Sequence, residues 1–129
     1  MKTLNKKSMF AIAALAASLV LTSPVAWSHG GAKPQHGGVV ESKHDLAFEL
    51  VREATGASLY VTDHGEAASV EGWSGQLTVL AGGKKTDATF KADGSSRLIA
   101  SDIQIPDGAK VALSLKDKSQ QPMTVRFSF

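Results

Sequence analysis

The chain has no cysteine among its 129 residues. Disulfides and thiolate ligands are therefore excluded, so an apolar core must hold the fold and any bound metal must take nitrogen and oxygen donors. Methionine is nearly as scarce. Beyond the N-terminal stretch only Met123 remains, which argues against a soft Cu(I) site. Aromatic residues make up 6% of the chain, too few for the two girdles of a membrane β-barrel, and the strand-like runs fall short of the roughly 9 to 11 residues such barrels need. No amphipathic helix stands out. Charge of one sign is not concentrated anywhere: with the first 28 residues set aside, 11 basic residues face 12 acidic ones without blocks, leaving no footprint for nucleic acid or a membrane surface.

The one long apolar stretch lies at the start. Lys2, Lys6 and Lys7 precede an uncharged run from Met9 to Leu21, and Ala26 and Ser28 follow as small residues three places and one place before a cut. The run is shorter than the roughly 20 residues that span a bilayer. It reads as a cleavable secretory signal peptide over residues 1–28, with the exported chain starting at His29 and no membrane span after cleavage. No cysteine follows the run, so no lipoprotein anchor is expected.

From His29 to Gly38 the chain offers no large apolar residue and four glycines, the composition of a flexible arm. Residues 29–43 are assigned to this arm and a first short strand, and residues 44–129 to one folded domain. There the hydrophobic period becomes two. Leu46, Phe48 and Leu50 alternate with Ala47 and Glu49, Leu59 and Val61 flank Tyr60, and Leu77 and Val79 flank Thr78. Val111, Leu113 and Leu115, then Val125, Phe127 and Phe129, repeat the pattern. Further strands are read around Thr86 to Lys91 and Arg97 to Ile103, with turn signals such as Ala54-Thr55-Gly56, Gly82-Gly83 and Pro106-Asp107-Gly108 between them. Seven or eight short strands without helices predict an antiparallel, immunoglobulin-like β-sandwich, with an open barrel as the alternative.

The histidines beyond the leader are His29, His36, His44 and His64, and none occurs in the last 65 residues. A hairpin turning at Ala54-Thr55-Gly56 with its apolar faces aligned pairs Phe48 with Val61 and Leu46 with Asp63, and sets Asp45 opposite His64. A register one residue different sets His44 opposite His64. Either gathers His44, Asp45, Asp63 and His64 at one hairpin end, and the arm carrying His36 is expected to enter there. Such a set suits a borderline divalent ion, Cu(II) or Zn(II). His29, once at the N-terminus, adds an α-amine and an imidazole on one residue, and the glycines of the His-Gly-Gly repeats would let the backbone fold around the ion. Each residue also has a plainer reading: Asp63-His64-Gly65 is good turn chemistry, His44 shares the parity of Leu46 and Phe48 and would cap the core edge, and His29 would be a frayed terminus.

Other motifs carry less. Gly72-Trp73-Ser74-Gly75 lacks nucleophile-elbow spacing and reads as a turn with Trp73 packed over it. Lys84-Lys85 after Gly82-Gly83 reads as a hairpin tip. No catalytic set is found, so a non-enzymatic protein is expected.

The segments His36-Gly37-Gly38-Val39-Val40, Phe48-Glu49-Leu50-Val51, Leu59-Tyr60-Val61-Thr62-Asp63-His64-Gly65, Gly75-Gln76-Leu77-Thr78-Val79-Leu80 and Val125-Arg126-Phe127 resemble small periplasmic proteins of heavy-metal settings. They are also similar to N-terminal segments of some adaptor subunits of resistance-nodulation-division efflux pumps. The resemblance implies a periplasmic accessory of heavy-metal efflux, with such an adaptor subunit as partner. His36 and His64 match its His-Gly-Gly and Asp-His-Gly motifs; His29 and His44 lie outside them. A rival from another class is an immunoglobulin-like interaction module docking an envelope protein through an edge strand, with incidental histidines.

Overall fold

Strand β8 (Lys110–Lys116) shows how the fold is built: Val111, Leu113 and Leu115 are buried while Lys110, Ser114 and Lys116 face water. The same alternation places Val125 and Phe127 of β9 (Pro122–Ser128) and Leu77 and Val79 of β5 (Ser74–Ala81) inside. A computed structural model describes residues 32–129. The predicted signal peptide and His29 lie outside the described residues.

Nine strands form among the described residues. The others are β1 (Val39–Lys43), β2 (Leu46–Glu53), β3 (Gly56–Asp63), β4 (Glu66–Ala67), β6 (Lys84–Asp93) and β7 (Arg97–Ser101). All pair antiparallel in the order β1-β2-β3-β7-β6-β5-β8-β9, with two-residue β4 on the side of β3. Strands β5, β6 and β7 form a meander, and β8 returns beside β5, the order of a Greek key. The all-β, antiparallel expectation holds.

The two separate sheets of a sandwich are not seen in this hydrogen-bonded path, because β3 continues onto β7 through Gly56↔Ser101 to Leu59↔Leu98. Gly56 permits that join: a Cβ there would lie 2.1 Å from the carbonyl oxygen of Ala100. Read from the sequence, Gly56 belongs to a turn; in the fold it is a point of close backbone approach. The path comes close to closing into a barrel. Strands β1 and β9 face each other at the seam without a ladder, and Lys43 Nζ donates to the Thr124 carbonyl across it at 2.6 Å. Phe48, Leu50, Leu59, Leu98, Leu113 and Leu115 fill the interior, all but fully buried. Side chains, not a channel, occupy the inside of an eight-strand barrel of this size.

The alternation fails in one place. In β2, Phe48, Glu49 and Leu50 are consecutively buried, and in β3 so are Gly56 to Leu59. The outer face of this hairpin is therefore covered. Part of the cover is the chain ahead of β1: instead of a free arm, residues 35–38 are fastened to Glu49 on that face.

Candidate functional site

Two tight turns sit side by side at one end of the β1 to β4 meander. The first is His44-Asp45, closing the Lys43↔Leu46 pair, and the second His64-Gly65, closing Asp63↔Glu66. Backbone φ is 52° at His44, 64° at Asp45, 49° at His64 and 86° at Gly65. Positive φ at both central residues is the signature of the type I′ hairpin turn, which twists with the strands it joins and favours Asn-Gly. The β2–β3 register is Phe48↔Val61 and Leu46↔Asp63, the first of the two predicted alignments. It brings both turns to the same end.

His44, Asp45 and His64 line a shallow hollow of about 410 Å³ there, floored by Ala47 and Thr62 and bounded by Ala32. His64 is 81% exposed, and its Nδ1 lies 2.5 Å from Asp63 Oδ1. Asp63 thus serves as the partner of His64 and does not line the hollow. An ionised carboxylate only accepts, so Nδ1 carries the hydrogen and in the neutral ring Nε2 is the free lone pair. This carboxylate–imidazole pairing is the outer-shell arrangement found behind metal-ligating histidines.

His36 is elsewhere. Its ring stacks on Tyr60 with centroids 3.6 Å apart and planes 3° from parallel. Tyr60, on β3, precedes His64 in the following turn by four residues, about 13 Å at roughly 3.3 Å per residue. The expectation that His36 enters at the histidine end is therefore corrected: Ala32 reaches that end, and His36 lies further along the face. It lines a second, smaller hollow of about 170 Å³ that shares Ala32, Ala47, Thr62 and Gly65 with the first. No three His, Asp or Glu side chains converge on one point among the described residues. His44, Asp45 and His64 share a rim, Asp63 supports His64, and His36 stands apart.

Sequence reasoning missed Glu49. Its carboxylate is 7% exposed as a residue and collects four donors. Oε1 accepts from the Gln35 amide at 3.0 Å and from His36 Nδ1 at 2.9 Å; Oε2 accepts from the His36 amide at 2.8 Å and the Gly38 amide at 2.9 Å. Burial pushes the Glu49 carboxyl up, but the hydrogen bonds from the His36 ring and the Gly38, Gln35 and His36 amides outweigh it and hold it below its usual range. The glycines of His36-Gly37-Gly38 serve this grip. Gly37 has φ 77°, and a Cβ on Gly38 would lie 2.4 Å from the Leu50 carbonyl oxygen. They let the backbone wrap a carboxylate, as in anion-binding nests, where sequence reasoning had them wrap an ion. The available signal was an acid set between Phe48 and Leu50 in an apolar stretch of strand.

Beyond Tyr60 the face continues to Arg97. Its Nη1 donates to Tyr60 Oη at 3.3 Å, and its Nε pairs with Asp93 Oδ2 at 3.0 Å. The remaining motifs are turns. Gly82 and Gly83 carry φ 57° and 77° ahead of exposed Lys84 and Lys85. Trp73 packs half-buried, 6.4 Å from the Phe48 ring. Against known proteins, no family model matches the chain, and no curated protein and no solved structure matches it.

Proposed function

We propose that this protein binds a divalent transition-metal ion, Cu(II) or Zn(II), at the hollow between its two histidine turns. His44 and His64 would supply imidazole nitrogen and Asp45 a carboxylate oxygen once these exposed side chains turn toward one another across the rim they share, since they do not converge on one point without an ion. One observation carries the reading: both turns place a histidine at a left-handed position where Asn or Gly suits the backbone better, and both histidines face one hollow. Residues kept in a costly conformation at a shared rim point to a role beyond folding. The Asp63 contact to His64 supports the same reading, since it leaves Nε2 for an ion.

The site is open and incomplete, which suits a labile ion that is buffered or handed on. Water would complete its coordination. The leader expected from the sequence and the resemblance to heavy-metal efflux accessories support a periplasmic setting, with an efflux adaptor subunit receiving the ion and no enzymatic step. The second reading, an interaction module, is favoured by the seam, where β1 and β9 lie against each other without a backbone ladder and would have to part to take an added strand.

Calorimetric titration of the purified protein with Cu(II) and Zn(II) separates the two. Replacing both His44 and His64 by Asn is expected to weaken binding by roughly a hundredfold, within the loss that disrupting metal shells produces. If neither metal binds more tightly than about millimolar, the metal reading falls and the seam reading stands. Unchanged affinity in the double variant moves the site away from the turns.

A further inference from the structure

We infer that Glu49 is a positioning residue: a clasp that seats residues 32–38, whose Ala32 borders the histidine hollow, and so governs how fast an ion leaves a site Glu49 does not touch. The metal half of this inference rests on the function proposed above; the clasp itself does not.

Three observations carry it. All four donors on the Glu49 carboxylate come from residues 35–38, two on each oxygen. A carboxylate in the middle of a β-strand, turned outward and 7% exposed, would be costly without them. The fastened segment then forms wall: Ala32 borders both hollows, and Lys33, Gln35 and His36 border the smaller one, which reaches Gly65 beside His64. Finally, the grip is two-sided. Glu49 supplies the acceptors, and Gly38 supplies the clearance over Leu50 that brings the amides within reach. A ligand shell supported from outside in this way loses definition when the support is removed.

The two sides give two independent variants. In Glu49→Gln one oxygen becomes an NH₂ group, which meets backbone N–H donors instead of accepting from them. In Gly38→Ala the carboxylate is intact, but the new methyl collides with Leu50. Both are expected to free the segment and leave the sheet folded. On the metal-free protein, hydrogen exchange read by NMR should show the His36 and Gly38 amides exchanging at least roughly tenfold faster in both variants, with the β5 and β8 amides unchanged. The nitrogen shifts of the His36 ring should show hydrogen on Nδ1 in the wild type and a mixture of tautomers in Gly38→Ala. Stopped-flow chelation should then show Cu(II) or Zn(II) leaving roughly tenfold faster from both variants.

Unchanged exchange at His36 and Gly38 in Glu49→Gln overturns the clasp. Freed amides with unchanged metal release overturn its control of the hollow. A wild-type protein that binds neither metal overturns the proposed function and the control together, while the exchange and tautomer measurements still decide the clasp.

Discussion

Strands β2 and β3 and strands β8 and β9 are both antiparallel hairpins with Leu, Val and Phe facing one core, yet only the second pair keeps a bare outer face. On β8 and β9 each outward residue is polar, small or half-exposed, such as Ser114, Thr124 and Arg126. On β2 and β3 the outward set of Glu49, Ser58 and Tyr60 is packed and hydrogen-bonded. The first arrangement needs one buried face; the second needs two, and its second is polar. A polar face taken out of water is retained only when its groups find partners, which here come from the chain ahead of β1 and from Arg97. The difference makes the β2–β3 hairpin the part of the sheet covered on both faces, and the histidine turns lie at its end.

The largest effects should fall on the shared core and be alike in the two hairpins. Leu50→Ala on β2 and Leu113→Ala on β8 each empty a fully buried site and are expected to cost about 2–5 kcal/mol in denaturant unfolding. The outer faces should then separate the pairs. Glu49→Ala removes a charged acceptor of four hydrogen bonds and should cost about 2 kcal/mol, the low end for such bonds because the released amides reach water. Ser114→Ala, outward on β8, should stay within about 0.5 kcal/mol. Equal costs at positions 49 and 114 would break the distinction.

Acid should sharpen it. The Glu49 carboxyl is held below its ordinary value of 4.5, because hydrogen bonds from the His36 ring and three amides overcome the penalty of burial. The folded state therefore takes up this proton less readily than the unfolded chain. The contribution of Glu49 is fully present above the ordinary value and is lost as pH falls through the lower, folded one. Melting temperature measured downward from neutral pH should drop in that acidic window, and Glu49→Gln should reduce the drop. Amide exchange should show residues 35–38 loosening there before the β8–β9 pairs.

The alternating strands were legible because side-chain period and burial are local. The β2–β3 register was legible too, since matching two apolar faces leaves few alignments. The barrel path was not: pairing β3 with β7 depends on a backbone approach at Gly56 that leaves no hydrophobic signature. Glu49 was hidden for a related reason. Three of its four donors are main-chain amides 11 to 14 residues upstream, and a main-chain donor has no letter in the sequence. His36 was misplaced because an aperiodic, glycine-rich segment gives no register by which to count its reach. His44 and His64 were placed at one hairpin end, but their left-handed backbone emerged only with β1 and β4, the short strands that make each a turn.

The smallest effect is the most discriminating for function. His64→Asn turns the tip of β3 into Asn-Gly, the preferred pair for two left-handed residues in a hairpin turn. It removes an imidazole that is 81% exposed and whose side-chain contact is with Asp63. Folding should therefore be unharmed, with a gain of up to about 0.5 kcal/mol, read as a small rise in melting temperature. A structural histidine would give the opposite sign. If the variant folds as well or better and loses its metal, then His64 stands at that turn for the ion it holds and at a small cost to the fold. If it folds better and binds metal as before, His64 is incidental to binding and the ion sits elsewhere.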